Sequence, residues 1–264
     1  MYDFEVIKAK SLTEAIELLK SEGAQVLGGG QTLIPTLKQR LASPNILISV
    51  AHIRELAGVT KTDENEIVIG GSTTHAEVNK KVKDFEALAD LAGKIGDPAV
   101  RNRGTIGGSV ANNDPSACYP AAVLASGAKI VTSSKNLFLA DDFFLGMFST
   151  MLDEGEIITQ INFPIPLRAS YQKFDQLASR FALVGVFLAR FSHGVRIAVT
   201  GASENGVFRW SQAEEALSKR FAVESLQDVN ILSDEFINDI HGGSDYRCHL
   251  IRVLTKRAIE ACYD

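Results

Sequence analysis

Apolar and polar residues follow both helical and strand periods along the first part of the chain. Residues 11–19 carry apolar side chains at helical spacing, and the sequence Ser-Leu-Thr-Glu at their start is typical of a capped helix. A short apolar run at residues 25–27, a second helical stripe at residues 34–41 and an apolar run at residues 46–50 follow. This order predicts a small α/β unit with a βαβ-like arrangement over residues 1–57.

The middle of the chain mixes both periods. Residues 66–70 form a strand-like run that turns at two glycines, residues 88–95 are apolar at helical spacing, and residues 156–163 alternate as a strand does. A buried helix is predicted at residues 121–125 because this run is entirely apolar. The mixture predicts a second, larger unit over residues 58–168.

Strand periodicity dominates the next stretch. Three strand-like runs with short polar turns between them predict an antiparallel meander at residues 171–177, 181–191 and 195–200. Three helices are predicted after the meander, at residues 211–219, 233–240 and 245–261. These elements predict a third unit over residues 169–264, which makes the whole chain a member of the α+β class.

Composition and charge exclude several classes of protein. The formal net charge of −5 argues against a general nucleic-acid-binding protein, because such a protein normally presents a basic face. The longest apolar run, at residues 181–189, is far shorter than the roughly 20 residues that span a bilayer. Acidic residues near the N-terminus argue against a secretory signal. The sequence therefore predicts a cytoplasmic protein without stable membrane insertion.

Side chains that perform catalysis or bind metals are sparse in this sequence. The three cysteines, Cys118, Cys248 and Cys262, have no C-x-x-C spacing, and the five histidines are scattered singly. The sequence contains no H-E-x-x-H helix and no recognisable pairing of a nucleophile with a base. We therefore predict no catalytic residue, no metal site and no iron–sulfur site in this chain.

Two glycine-rich segments are the strongest candidates for a binding site. The first, residues 26–35, reads V-L-G-G-G-Q-T-L-I-P, and the second, residues 101–120, reads R-N-R-G-T-I-G-G-S-V-A-N-N-D-P-S-A-C-Y-P. Glycines let the backbone approach a ligand closely, and N–H groups exposed in such turns form concave anion sites. Neither segment is a Walker loop or a G-x-G-x-x-G fingerprint. Together they predict a phosphate-bearing ligand, with plain surface loops between two elements as the alternative.

In both segments the sequence resembles the FAD-binding subunit of the molybdenum hydroxylases, the family of xanthine dehydrogenase, aldehyde oxidase and aerobic carbon monoxide dehydrogenase. The first family signature, A-G-G-x-S/T-L-hydrophobic-P and then R-L-A-x-P, is matched by G-G-G-Q-T-L-I-P at residues 28–35 and R-L-A-S-P at residues 40–44. The second, V-R-N-R-G-T-I-G-G-S/N, is unbroken at residues 100–109. The resemblance implies a two-part FAD-binding domain of the PCMH type, followed by a C-terminal antiparallel sheet with helices.

The resemblance also implies roles for particular residues. The pyrophosphate of FAD and the groups next to it would contact Gly28, Gly29, Gly30, Gln31, Thr32 and Leu33. The diphosphate and the ribityl chain would be lined from the other side by Thr105, Ile106, Gly107, Gly108 and Ser109. Gly96 would add a backbone contact, and Lys173, in a Y-x-K pattern, would reach the flavin region. Ile158 would pack on the cofactor or belong to the core.

One position departs from the family pattern. Many relatives have D-P-x-x-D-x-P, in which the second aspartate hydrogen-bonds the ribityl hydroxyls, whereas this chain has D-P-S-A-C-Y-P with Cys118 at that position. A thiol is a weak donor and a weak acceptor, so this contact is lost or supplied by another residue. Asn113 and Asp114 are the candidates to supply it. Tyr119 would either stack near the flavin ring or fill the core.

The resemblance implies an oxidoreductase subunit that works with partners. Electrons would leave a substrate at a molybdenum cofactor in a large partner subunit and pass through two-iron two-sulfur clusters in a small partner subunit. They would then reach the FAD of this chain and a final acceptor such as NAD or a quinone. The implied assembly is a dimer of heterotrimers. Two alternatives stay open: a free-standing FAD oxidoreductase, and a non-catalytic scaffold that has lost flavin.

Overall fold

A computed structural model describes residues 1–231 and 236–263, which form three main β-sheets with helices around and between them. The first sheet is parallel, with the order β1-β3-β2, and consists of β1 (Glu5–Lys8), β2 (Ala24–Leu27) and β3 (Ile46–Ser49). Its two helices are α1 (Leu12–Leu18) and α2 (Leu33–Lys38). The Ser11 hydroxyl accepts a hydrogen bond from the Glu14 N–H at 3.1 Å, which confirms the predicted helix cap.

The sequence pattern does not predict β1. Three of its four residues are exposed, because β1 lies at the edge of the sheet and pairs only with β3. An exposed edge strand needs no buried face and so carries no clear apolar period. The segment β2-α2-β3 is a parallel βαβ unit, as the pattern predicts.

The second sheet is antiparallel and has five strands in the order β4-β5-β10-β6-β7. These strands are β4 (Val59–Lys61), β5 (Glu66–Gly70), β6 (Lys129–Thr132), β7 (Leu137–Leu139) and β10 (Ile158–Pro164). A 3-10 helix, Arg54–Leu56, precedes them. The helices between the strands are α3 (His75–Lys81), α4 (Glu86–Gly93), α5 (Pro98–Arg101), α6 (Ile106–Asn112), α7 (Tyr119–Ser126) and α8 (Ala140–Phe143). A short hairpin of β8 (Phe144–Gly146) and β9 (Ser149–Thr150) follows α8.

The third sheet is an antiparallel meander in strand order, which confirms the predicted arrangement. Its strands are β11 (Arg168–Asp175), β12 (Ala182–Phe191), β13 (Gly194–Ser203) and β14 (Gly206–Arg209). The helices α9 (Ser211–Lys219) and α10 (Ser244–Glu260) and a 3-10 helix, Val223–Leu226, complete this part. Residues 182–189 are all buried because α7 covers one face of β12 and α10 covers the other. In the described residues no helix is both long and apolar enough to cross a membrane.

Every residue of α7 is buried. This helix lies between the second and third sheets, where it contacts β10 on one side and β12, β13 and β14 on the other. A helix with no solvent-facing side needs no polar face, which explains its almost uniformly apolar sequence Y-P-A-A-V-L-A-S. The last two residues of the second glycine-rich segment, Tyr119 and Pro120, are the first two of α7, so the packing of this helix fixes the end of that segment.

The prediction of a helix at residues 233–240 is wrong for residues 236–240, while residues 233–235 lie outside the described residues. Phe236 forms an isolated antiparallel bridge with Ser203 instead. The Ile237 N–H donates to the Ala202 carbonyl at 2.8 Å, and the Phe236 ring packs on Phe208 with centroids 5.6 Å apart. Pairing with the C-terminal end of β13 therefore replaces the helical hydrogen bonds that the apolar spacing predicted.

A buried arginine on α10 joins this helix to the third sheet. The side chain of Arg247 is 2% exposed and donates to the backbone carbonyls of Leu183, Gly201 and Gly242. Its remaining Nη group binds the Asp239 carboxylate at 2.8 Å. Four acceptors therefore surround one guanidinium, which satisfies the requirement that a buried charge be paired and hydrogen-bonded.

The third sheet also holds the end of the second glycine-rich segment. The Gly201 N–H donates to the Pro115 carbonyl at 2.7 Å, and the Thr200 hydroxyl lies 2.7 and 2.8 Å from the carbonyls of Pro115 and Ala117. The carbonyl of Gly201 is one of those bound by Arg247. A continuous series of hydrogen bonds thus runs from α10 through β13 to the residues just before Cys118.

Candidate functional site

The first glycine-rich segment forms a turn between β2 and α2 with an unusual set of donors. The backbone N–H groups of residues 28–33 donate to no acceptor within the described part of the chain. Gly30 has a φ of +71°, which reverses the backbone in the middle of the turn. Successive N–H groups in such a turn form a concave nest that binds anions. The predicted phosphate site would use these N–H groups.

The two glycine-rich segments touch each other through their backbones. A Cβ atom built on Gly29 would lie 1.9 Å from the Arg103 carbonyl oxygen, and one built on Gly28 would lie 3.0 Å from the Thr105 hydroxyl. Only a residue without a side chain permits the first of these contacts. The structure therefore brings together residues that are more than 70 positions apart in the sequence, as the prediction of one shared ligand requires.

The second segment uses most of its N–H groups inside the protein, which differs from the expected anion nest. The Ile106 and Gly107 N–H groups donate to the carbonyls of Thr73 and Gly71 at 3.0 and 2.9 Å. The Gly108 N–H donates to the hydroxyl of Thr105, which caps α6. Ligand contacts from this segment therefore depend on the hydroxyl groups of Thr105 and Ser109 and on close approach of the glycine backbone.

Three backbone segments meet at Gly71, a residue that the sequence reasoning did not select. A Cβ on Gly107 would lie 2.6 Å from the Gly71 carbonyl oxygen, and a Cβ on Gly71 would lie 2.0 Å from the Ile158 carbonyl oxygen. The Ile158 side chain is 4% exposed and belongs to the core of the second sheet. The pair Gly70-Gly71 before the sequence S-T-T-H was the available signal, since paired glycines often mark close backbone approach.

Lys173 is buried and fully paired. Its side chain is 2% exposed, and its ammonium group lies 2.8 Å from the Asp175 carboxylate and 2.9 Å from the Lys94 carbonyl oxygen. It also donates to the carbonyl of Arg180 at 2.6 Å. Lys94 in turn donates to the Tyr171 carbonyl at 3.2 Å. These contacts place Lys173, on β11, beside Lys94 at the end of α4. Lys94 is two residues before Gly96 in the sequence.

Cys118 lies beside this lysine. Burial raises the pKa of the Cys118 thiol, although the Lys173 ammonium and the Tyr171 hydroxyl act in the opposite direction. The thiol is 5% exposed and therefore stays neutral at physiological pH. The residue at the position of the family's second aspartate thus supplies no negative charge to pair with Lys173, and Asp175 supplies it instead.

The two residues expected to replace the missing aspartate have different surroundings. Asn113 is 1% exposed, has a φ of +43°, and directs its Nδ2 group to the carbonyls of Gly146 and Ser149 at 2.7 and 2.9 Å. The Asp114 carboxylate accepts from the Ser116 N–H at 2.8 Å, and burial raises the pKa of this carboxyl. The Asn113 Nδ2 group is thus already used by the hairpin, while its Oδ1 atom accepts no hydrogen bond from the described residues, so both Asn113 and Asp114 stay candidates.

Gly96 lies in a tight turn between α4 and α5. Its φ is +48°, and its carbonyl accepts a hydrogen bond from Arg101 Nη1 at 2.9 Å. The same nitrogen donates to the Ile95 carbonyl at 3.0 Å. Arg101 opens the second glycine-rich segment, so its side chain fixes the Gly96 turn relative to that segment.

Several buried polar atoms around the second segment have no hydrogen-bond partner among the described residues. They are His75 Nδ1, Asn113 Oδ1 and Tyr119 Oη. Orphaned polar atoms are rare in folded proteins and cluster where water or a ligand completes the structure. Together with the N–H nest of residues 28–33, they fit a polar cofactor with a diphosphate group.

His75 is buried against the site and is held neutral. The backbone N–H of His75 donates to the Gly104 carbonyl at 3.0 Å, and the His75 ring lies 5.3 Å from that of Tyr119. Burial, assisted by the positive charge of Arg101, lowers the pKa of His75 to about 4. A buried neutral histidine of this kind has a structural role and connects the folding of the site to pH.

We expect His75 to make the protein less stable in acid. The unfolded histidine, with a pKa near 6.5, binds a proton more readily than the folded one, so stability is complete above about pH 6.5 and is lost as the pH falls towards 4. The loss from this residue is about 3 kcal/mol. Urea unfolding measured between pH 4 and 7 would detect it.

The control for this prediction is a comparison of slopes. Between pH 6.5 and 4, the free energy of unfolding should decrease less in His75→Leu than in the wild type. In the control His52→Leu, at an exposed position, the decrease should equal that of the wild type. Equal slopes in the wild type and His75→Leu would contradict a buried neutral histidine.

The fold places the undonated N–H groups of residues 28–33 against the second glycine-rich segment, an arrangement suited to an anionic ligand. The family model for the FAD binding domain in molybdopterin dehydrogenase matches residues 2–166, well over half of the chain. The chain therefore belongs to this family of flavoproteins, which are components of oxidoreductases. This confirms the expected FAD cofactor and the PCMH-type α+β fold.

Relatives match along the full length. The carbon monoxide dehydrogenase medium chain of Hydrogenophaga pseudoflava is 32% identical over 98% of this chain and 97% of the relative. The glyceraldehyde dehydrogenase medium chain of Sulfolobus acidocaldarius is 34% identical, with 98% of both chains covered. A solved structure of carbon monoxide dehydrogenase from H. pseudoflava, which lacks the Mo-pyranopterin moiety of its cofactor, contains a chain with a TM-score of 0.89 at 32% identity, covering 99% of this chain and 98% of that one.

Proposed function

We propose that this chain is the FAD-binding subunit of a multi-subunit molybdenum-dependent oxidoreductase. The observation that carries the proposal is the row of unbonded N–H groups at residues 28–33, joined to the second glycine-rich segment at Gly29. A diphosphate needs many donors in a concave site, and this nest supplies them without any lysine or arginine. Residues 1–57 and 58–168 would hold the cofactor between them, and residues 169–264 would support the second segment.

The residues that would hold FAD fall into three groups. The nest that binds the diphosphate consists of Gly28, Gly29, Gly30, Gln31, Thr32 and Leu33. The facing wall consists of Thr105, Ile106, Gly107, Gly108 and Ser109, with Gly96 as a further backbone contact. The residues that would lie near the ribityl chain and the flavin are Asp114, Cys118, Ile158 and Lys173. Asn113 would act by holding the backbone that precedes Asp114.

When bound, FAD supplies the exchange between one-electron and two-electron carriers that connects iron–sulfur clusters to a final acceptor. The chain's own residues position it and set its electrostatic surroundings. The ammonium of Lys173 is buried and paired with the Asp175 carboxylate and two backbone carbonyls, so Lys173 would fix β11 beside the neutral Cys118 instead of offering an unpaired charge to the cofactor.

Partner chains are part of the proposal. Relatives of this chain are named medium chains of carbon monoxide dehydrogenase and glyceraldehyde dehydrogenase, and these names imply larger and smaller companions. We therefore infer a large subunit with a molybdenum cofactor and a small subunit with two-iron two-sulfur clusters, assembled as a dimer of heterotrimers in the cytoplasm.

An absorption spectrum of the purified chain between 300 and 550 nm tests the function. We expect a flavin spectrum, about one FAD per chain after release by denaturation and identification by mass, and co-purification with one chain that contains molybdenum and one that contains iron and sulfide. FAD without partner chains would indicate a free-standing oxidoreductase. A chain that stays without flavin after incubation with excess FAD and its partners would contradict the proposal.

A further inference from the structure

The hairpin of β8 and β9, together with the two residues after it, exposes an unusual concentration of apolar side chains. The segment from Phe144 to Leu152 reads F-L-G-M-F-S-T-M-L and contains no charged residue. Four of its side chains are prominently exposed: Leu145 at 58%, Met147 at 44%, Phe148 at 61% and Met151 at 41%. Two of the three methionines of the chain lie here. We call residues 144–152 the apolar hairpin.

The composition and size of the apolar hairpin match the centre of a protein interface. Interface cores lack charge and are enriched in aromatic residues and methionine, as this segment is. Its exposed side chains present on the order of 400 Å² of apolar surface, within the range of the largest, often functional, patches on single proteins. A standard interface buries about 800 Å² per partner, more than half of it apolar, so this patch supplies most of the apolar share.

The hairpin is held rigidly at its tip. The Phe148 N–H donates to the Asn113 carbonyl at 3.0 Å, and the Asn113 side chain binds the carbonyls of Gly146 and Ser149. Phe148 has a φ of +55°, a left-handed conformation that is strained for an aromatic residue. Such strain persists where the surrounding structure enforces it, commonly at functional sites. A rigid apolar tip loses little conformational entropy when a partner binds.

The same asparagine fixes the hairpin relative to the cofactor site. Asn113 caps the C-terminal end of α6, and Thr105 caps its N-terminal end beside Gly28. Seven helical residues span about 10 Å. A protein that covers the apolar hairpin is therefore placed within about one helix length of the cofactor-binding wall.

We propose that the apolar hairpin is the docking surface for the iron–sulfur partner subunit, and that Asn113 is the residue that positions it. This inference rests on the proposed function. Among the implied partners, only the subunit that delivers electrons to FAD has to dock beside the cofactor. The absence of charge in the hairpin means that the facing surface of the iron–sulfur subunit is apolar too, since an unpaired charge buried there would be costly.

The test places a charge at the tip of the hairpin in the complete assembly. Phe148→Asp suits the backbone, because aspartate adopts positive φ more readily than phenylalanine does. Met151→Lys adds a positive charge where Phe148→Asp adds a negative one. Weaker binding in both variants would therefore come from the loss of apolar contact and not from the sign of the charge. The matched control is Ile240→Asp, at a side chain that is 96% exposed on a different part of the chain. Each tagged full-length variant is purified from cells that produce all three subunits, and FAD, iron, sulfide and molybdenum are measured per chain.

We expect both hairpin variants to bind the iron–sulfur subunit at least about 30-fold more weakly, as loss of a central interface residue does, while FAD per chain and the control stay unchanged. Reduction of bound FAD by the reduced iron–sulfur subunit should slow at limiting concentrations of that subunit. An unchanged affinity for the iron–sulfur subunit would overturn the proposal. Loss of the molybdenum subunit alone, or of self-association alone, would also overturn it. A wild-type chain without FAD, or without an iron-containing partner, would instead overturn the proposed function.

Discussion

Gly29→Ala is expected to lower the affinity of the chain for FAD by at least about 100-fold, which is the loss of about two hydrogen bonds to a charged group. The added Cβ would lie 1.9 Å from the Arg103 carbonyl oxygen and 2.6 Å from the Gly104 Cα, so one segment has to move away from the other. Both obstacles are backbone atoms, which cannot rotate aside as the end of a flexible side chain can. The displacement would turn N–H groups of residues 28–33 away from the diphosphate.

FAD titration of the apoprotein, followed by flavin fluorescence, measures this effect. Gly243→Ala is the matched control, because its Cβ would lie 3.4 Å from the nearest atom, an ordinary contact, and its φ is −74°. Thermal unfolding of both apoproteins shows whether the fold is retained. Undiminished FAD affinity in Gly29→Ala would mean that the segments do not close on the cofactor as described.

Arg247→Met is expected to have the largest effect on stability, lowering the free energy of unfolding by about 3–5 kcal/mol, because several backbone carbonyls lose their hydrogen bonds to one buried, charged donor at about 1–3 kcal/mol each. The substitution leaves the carbonyls of Leu183, Gly201 and Gly242 without their shared donor. It also removes the positive charge that, with the N–H groups of His241 and Gly242, holds the pKa of Asp239 below its usual value although burial acts to raise it. Urea unfolding at neutral pH would measure the loss.

Arg257→Met provides the control on the same helix. Arg257 is exposed, and its loss should change the free energy of unfolding by less than about 0.5 kcal/mol. Because Gly201 also donates to Pro115, Arg247→Met should weaken FAD binding as well as stability. Equal free energies of unfolding for Arg247→Met and Arg257→Met would show that the hydrogen bonds of the buried guanidinium contribute nothing to stability.

Sequence patterns predicted those elements whose burial is regular. The meander of the third sheet could be predicted because long strands with short polar turns leave a clear period, and the helix after Ser11 because its cap is local. β1 could not be predicted, since an edge strand with mostly exposed residues carries no such period. The helix expected over residues 236–240 failed because pairing with Ser203 is a long-range contact that local spacing does not encode.

In the candidate site, too, the sequence predicted local features but not the contacts between distant segments. Glycine content located both segments, and the resemblance identified their ligand, but the contact between Gly29 and Arg103 depends on tertiary packing. Gly71 was missed because its role is to let two other backbones approach. Asn113 is a candidate to replace the aspartate contact, and its Nδ2 group also binds a hairpin more than 30 residues away, a contact that no local pattern predicts. No local pattern distinguishes an asparagine that binds a ligand from one that fixes a loop.

The burial of α7 limits how this protein can evolve by recombination of gene segments. The helix is shared by two sheets, and the part of the chain that matches the FAD-binding family, residues 2–166, ends before the strands that cover one side of it. A gene segment cut at that point would encode a flavin-binding half with an apolar helix open to water. Recombination that separates the two halves would therefore be selected against, and the C-terminal sheet would be inherited together with the cofactor site as one unit.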